Sequence, residues 1–370
     1  MMASYESGYR PAALTIRALG LVAAAGALVF LGGLLFDPRR AWTGYLLGFN
    51  LFVGLALSGA LFLALLAVSS ARWAAPLEGV PAAMSKNLAP GLVLGLVLLF
   101  GVHSLYEWSH ASVVEEDALL RGKSAYLNVP FFAIRLVACF ALWIVLSRAV
   151  AGTRGVARSA LFVAVFAVTY SVASVDWIQS LEPHWFSTIF ALRTASGLAC
   201  GGLAAAIVLV LLLRSSGPLR GAVSDDHVAD LAKLLFSFSI LWGYIRYCQY
   251  MLIWYSNIPE ETSYYIARSG SAWKLVSLAS VVLMWGVPFV VLLLRSARRS
   301  PAVLLRVAFV VLAGWAFDLY VMIGPPLAGA EPALGIFEIA GLAGAGALFF
   351  LFTLKALALA PPAPARAARG

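Results

Sequence analysis

The chain has 370 residues, of which 62% are hydrophobic and only 12% charged, and it carries a formal net charge of +9. A charged share about half that of ordinary soluble domains excludes a water-soluble globular core. The basic excess lies in short segments between apolar runs rather than on one patch, so it reports membrane topology and gives no support to nucleic-acid binding.

Ten apolar runs follow one another, at about 12–36, 42–68, 88–107, 129–149, 158–176, 186–213, 229–255, 273–294, 303–323 and 333–357. Each is close to or longer than the roughly 20 residues that a helix needs to cross a bilayer. Backbone polar groups in lipid are satisfied only within helices or closed barrels, and runs this long and continuous are helices. The expected fold class is therefore an all-α polytopic membrane protein of about ten transmembrane helices. The first run ends at Asp37-Pro38-Arg39-Arg40 without a small-residue cleavage pattern and is too long for a signal-peptide core, so it is expected to be retained. Polar residues from Thr169 to Ser174 in the fifth run, and Gly286-Val287-Pro288 in the eighth, predict kinks. Residues 1–360 read as a single integral membrane domain, and the Pro/Ala-rich basic stretch 361–370 as a disordered cytoplasmic tail.

Lys and Arg set the orientation. Seventeen fall on the side that holds both termini and six on the other, so both termini are expected in the cytoplasm. The remaining three, Arg135, Arg193 and Arg246, lie in the outer thirds of the fourth, sixth and seventh runs, while acids such as Glu107, Asp176 and Glu182 cluster at outer helix ends. Outer cations facing outer acids predict a buried polar cluster, and with it any chemistry, on the non-cytoplasmic side. The cysteines Cys139, Cys200 and Cys248 lie within apolar runs without metal-ligand spacing, and no haem, nucleotide or metal motif is present. Protein-bound cofactors and metal ligands are not expected.

Three constellations carry candidate chemistry. His103, Glu107 and His110 are spaced to share one helical face, which suits either proton transfer, metal binding or bonds to neighbouring loops. In the link 176–185, His184 with Asp176 or Glu182 can accept protons from a lipid-soluble substrate; the alternative is an aromatic belt on a Pro-fixed turn. In the seventh run, Arg246, Gln249 and Tyr250 fall on one face with Ser239, Trp242, Ile253 and Asn257. That face either hydrogen-bonds a carbonyl or fastens helices through an acid such as Asp176, Glu107 or Asp318. Glu260 and Glu261 follow in an acidic turn after Pro259. Asp225, Asp226 and His227 read as capping residues at the opposite end of the same run.

The strings SAYLNVPFFAIR (124–135), SVDWIQSLEPHWFSTIF (174–190) and DLAKLLFSFSILWGYIRYCQYMLIWYSNIPEET (230–262) resemble the ActF family, the NrfD-like quinone-binding membrane subunits of alternative complex III. The strings cover about a quarter of the chain and the ten-helix plan nearly all of it. The resemblance implies a quinol:cytochrome c, or other acceptor, oxidoreductase, with this chain as a non-autonomous enzyme subunit in a bacterial inner membrane. Its partners would be iron–sulfur and multihaem c-type cytochrome subunits and a second NrfD-like subunit. It also implies two four-helix bundles, of helices two to five and six to nine, flanked by the first and the tenth. Glu107, Asp176, His184, Gln249, Asn257 and Glu260 lie in the matching strings or at their helix ends, whereas Arg246 stands where the family more usually has an aromatic. The expected catalytic residues are thus Asp176, His184 and Glu107. His103, His110, Glu182, Arg246, Gln249, Tyr250, Asn257 and Glu260 are expected along a quinone site or proton pathway. Quinol is the expected substrate, with electrons leaving through a partner; proton or ion conduction without quinol, or a scaffold for the peripheral subunits, are the alternatives.

Overall fold

The structure, a computed structural model, describes residues 9–152, 155–216, 219–329 and 331–359. The tail expected at 361–370 lies outside the described residues. Among the described residues, ten helical spans are long and apolar enough to cross a membrane: α1 (Ala13–Phe36), α2 (Pro38–Val68), α3 (Gly79–Leu105), α4 (Val129–Gly152), α5 (Val156–Leu181), α6 (Phe190–Ser215), α7 (Asp225–Ser256), α8 (Ala272–Leu293), α9 (Pro301–Ala328) and α10 (Ile336–Leu359). No strand occurs among the described residues. The chain is an all-α, multi-pass membrane protein.

The spans form two closed rings of four. In the first, α2 packs on α3 and α5, and α4 packs on α3 and α5; in the second, α6 packs on α7 and α9, and α8 packs on α7 and α9. The two rings meet through α2 against α6 and α9, and through α5 against α6. Outside them, α10 packs along α2, and α1 along α10. Helices α2 and α6 form the centre, with 78% and 94% of their most apolar windows buried, against 6% for α1.

Small residues permit this closeness, since helices in lipid associate by packing rather than by a hydrophobic driving force. A Cβ on Gly202 of α6 would run into the Ser58 side chain of α2, and one on Gly341 of α10 into the Gly44 carbonyl of α2.

The local breaks have local causes. In α8 a π-helical turn spans Val282–Gly286 immediately before Pro288, whose ring excludes a regular bond to the preceding turn. Helix α5 continues unbroken over Val156–Trp177, through the polar stretch 169–174 where the sequence predicts a kink. Its polar side chains bond back to their own helix, Thr169 to the Val165 carbonyl at 2.7 Å and Ser171 to that of Ala167 at 2.7 Å. As expected, α7 begins with a capping box in which Ser224 and His227 satisfy each other's backbone.

Candidate functional site

The links after α1, α3, α5, α7 and α9 share one end of the molecule, here called distal. Every buried charged side chain among the described residues lies in its half of the protein: Arg135, Asp176, Arg193, Arg268, Asp318 and Glu338. Charges at membrane depth are tolerated only when paired, and each has a partner.

The first centre joins α4 to α5. The Arg135 guanidinium donates to Asp176 through Nε to Oδ2 at 2.7 Å and Nη2 to Oδ1 at 2.9 Å. Its third arm donates to the Tyr126 carbonyl at 2.9 Å, and its Cζ sits against the rings of both Tyr126 (3.9 Å) and Phe131 (4.3 Å), which meet edge to face. Arginine's planar fork suits this combination of bidentate pairing and stacking.

The second centre joins α6, α7 and α9 around one carboxylate. Asp318 accepts from Arg193 Nη2 at 3.1 Å, Arg246 Nη1 at 2.5 Å and Trp242 Nε1 at 3.2 Å. Arg193 donates further to the Gln249 carbonyl oxygen at 3.1 Å and the Tyr264 hydroxyl at 2.9 Å, and Gln249 donates to Ser187 Oγ at 3.2 Å. Two guanidiniums share one acid, and the Arg193 Nε–H has no hydrogen-bond acceptor.

A third centre seals the distal end. Pro325 and Pro326 have no N–H for the carbonyls of Val321 and Met322, one helical turn earlier. Arg268 supplies the missing donors, at 2.8 Å and 3.2 Å, and also forms a two-point pair with Glu182, at 2.7 Å and 3.2 Å. Tyr264 lies between the Arg268 guanidinium (3.4 Å) and the Trp185 ring (4.2 Å). Arg40 and Glu338 fasten α2 to α10 in the same way, at 2.9 Å and 3.2 Å.

A cavity of about 520 Å³ opens between the segments 122–127 and 175–188, lined by Lys123, Tyr126, Gln179, Ser180, Trp185, Ser187 and Thr188 among others. Its volume is that of an ordinary small-molecule site. Two wall residues touch the buried centres: Tyr126 stacks on Arg135, and Ser187 is bonded to Gln249. The 182–185 segment that forms its rim is tied to the α3–α4 link by Lys123 Nζ donating to the Pro183 carbonyl at 2.6 Å and by His184 Nε2 against Asp117 Oδ2 at 2.6 Å. The contact with His184, with two backbone N–H donors, lowers the Asp117 pKa; burial lowers that of Lys123 and raises that of Tyr126.

Several expected residues converge on this architecture and others do not. Asp176 is buried and faces Arg135, and Gln249 and Arg246 belong to the Asp318 centre. His184 partners Asp117 instead of Asp176 or Glu182, because Glu182 is committed to Arg268. The common face expected for His103, Glu107 and His110 is not a helical one. The helix ends at Leu105, Tyr106 is extended, and the three side chains are exposed. The chain turn still brings the two histidine rings to 5.4 Å, with His110 Nε2 2.8 Å from the His103 carbonyl. Glu107 lines a separate depression with Glu182 and His184. On α7, Ser239, Trp242, Gln249 and Ile253 are buried, whereas Tyr250 and Asn257 are exposed. Tyr250 meets the Tyr265 ring at 5.3 Å. Asn257 is the left-handed C-cap of α7, and Glu260 lies in the first turn of the helix Pro259–Ala267, both ordinary places for these residue types.

Sequence reasoning passed over Arg268, Tyr126 and Ser187. Only the Pro325-Pro326 pair signalled Arg268, by leaving two carbonyls without donors. No group of three or more His, Cys, Asp or Glu side chains converges to hold a metal ion among the described residues.

These features define a multi-pass α-helical membrane protein built on two four-helix bundles with a polar distal half. No family model matches the chain, and no curated protein matches it either.

Proposed function

We propose that this chain is the ActF-type, NrfD-like membrane subunit of alternative complex III and binds the head group of a lipid quinol in the distal cavity. The observation that carries the reading is the cavity itself. It lies at the distal ends of α4 to α6, with hydroxyl, amide and aromatic groups on its walls and a buried arginine–acid centre behind each side. Exposed Phe186 and Tyr126 on its rim suit an isoprenoid tail arriving from lipid. Asp176 follows the wall residue Val175 and is held by Arg135, and it is the candidate to receive a quinol proton once Arg135 shifts; His184 and Asp117 continue toward the distal surface.

Electrons pass to iron–sulfur and c-haem partners on the distal side; the Lys/Arg bias supports that side as the non-cytoplasmic one, and the ActF-type reading supports a bacterial inner membrane. The confinement of buried charge to the distal half favours this over a complete proton path through the membrane.

The test is saturable quenching of tryptophan fluorescence, Trp185 being in the wall, when decylubiquinone is added to the purified chain in detergent. Asp176→Asn should then slow quinol oxidation in membranes that contain the assembled complex. Absence of saturable binding refutes the reading, and unchanged turnover in Asp176→Asn refutes the role of the acid.

A further inference from the structure

The hydrogen bonds behind the cavity have a polarity that the chemistry of their donors dictates. Asp318, as a carboxylate, only accepts, and Arg193, as a guanidinium, only donates. The atom of Gln249 that faces Arg193 Nη1 at 3.1 Å must therefore be its carbonyl oxygen. That assignment turns the amide nitrogen of Gln249 toward Ser187 Oγ, at 3.2 Å. An amide nitrogen only donates, so the serine oxygen is the acceptor and its own proton must point elsewhere.

Ser187 precedes the first turn of α6, and among the described residues no second hydrogen bond engages its hydroxyl. The neighbouring Ser180 differs, since its hydroxyl is committed to the Asp176 carbonyl at 2.6 Å. Gln249 is fully buried, whereas Ser187 lines the cavity.

We infer that Ser187 donates a hydrogen bond to a head-group oxygen of the molecule in the cavity, the hydroxyl oxygen of the quinol or the carbonyl oxygen of the quinone, with Gln249 as the positioning residue that fixes the direction of that bond. The inference rests on the proposed quinone site and names the group that reads the ligand. A ligand whose oxygen must accept at this point fits; a hydrocarbon of the same outline gains nothing from Ser187.

Two substitutions test the direction as well as the contact. Ser187→Ala removes the donor. Gln249→Glu keeps the size and the bond to Arg193 but places an acceptor against Ser187, which must then turn its proton away from the cavity. Binding of decylubiquinone and of decylbenzene, its carbonyl-free counterpart, is measured by titration calorimetry on the full chain in detergent. Each substitution should weaken decylubiquinone binding by about fivefold to tenfold, the value of one neutral hydrogen bond. Decylbenzene binding should be unchanged, and Ser187→Thr, which keeps the hydroxyl, should stay within about twofold of the parent for the quinone. A parent chain that shows no saturable quinone binding overturns the proposed site. A parent that binds, with Ser187→Ala within twofold of it or with both ligands weakened alike, overturns the donor assignment alone. Should Gln249→Glu fail to fold, the Ser187→Ala and Ser187→Thr pair still decides between these outcomes.

Discussion

The Asp318 centre makes an asymmetric prediction, because one carboxylate serves two guanidiniums. Asp318 and Arg193 are fully or almost fully buried, and the Arg246 side chain is 17% exposed. Asp318→Asn keeps the shape but leaves Arg193 and Arg246 facing one another with no acid between them. Removing one member of a buried ion pair costs about 3–5 kcal/mol, most of it the penalty on the stranded charge. Arg246→Met does the opposite: it removes the surplus cation and leaves a balanced pair of Arg193 and Asp318. Its cost is confined to the Arg246 bond and to the cation–π contact over Trp242 at 5.4 Å, which is worth about 0.5–1 kcal/mol. Arg246→Met should thus destabilise by about 1 kcal/mol or less, and the double variant should be less damaged than Asp318→Asn alone. Denaturant unfolding of the detergent-solubilised protein, followed by tryptophan fluorescence, measures all three. A loss in Arg246→Met equal to or larger than that in Asp318→Asn would refute the charge-balance reasoning.

Other outcomes follow from packing and from the distal rim. Gly341→Ala places a methyl group against the Gly44 backbone, so α10 must move off α2 at a cost of about 1–3 kcal/mol, read as a lower unfolding midpoint. Arg268→Lys keeps the charge but cannot reach the Val321 and Met322 carbonyls together with Glu182; two orphaned carbonyls predict a loss of about 2–4 kcal/mol in the same unfolding assay. Asp117 has a folded-state pKa below its ordinary 3.8, so its contribution is present above that value and disappears as pH falls through the lower folded value. Unfolding midpoints of the parent should therefore fall more steeply than those of Asp117→Asn between about pH 4 and pH 2, and parallel curves would remove the His184–Asp117 contact from the account.

Much of the fold was legible because bilayer physics constrains sequence strongly. Ten runs of the required length appear as ten spans, most with ends shifted by a few residues; the third, expected from 88, starts nine residues earlier at Gly79. Arg135, Arg193 and Arg246 stood out for the same reason, since an arginine inside an apolar run needs a partner. The partners were harder to read. Asp176 was visible as an outer-end acid, but its pairing with Arg135 rather than Arg246 depends on α4 lying beside α5 within one bundle.

The sequence by itself determined the class of molecule, the number of spans and the end of the helices that holds the polar cluster, because each follows from the cost of placing single residues in lipid. Tertiary structure alone decided which acid meets which arginine. It released His184 to Asp117, gave Asp318 two arginines, and brought Ser187 from one link to Gln249 of another helix. Those contacts join residues that are tens to more than a hundred positions apart, and no local periodicity encodes them. They arise only when the two rings of helices close on each other and leave a cavity at their distal seam.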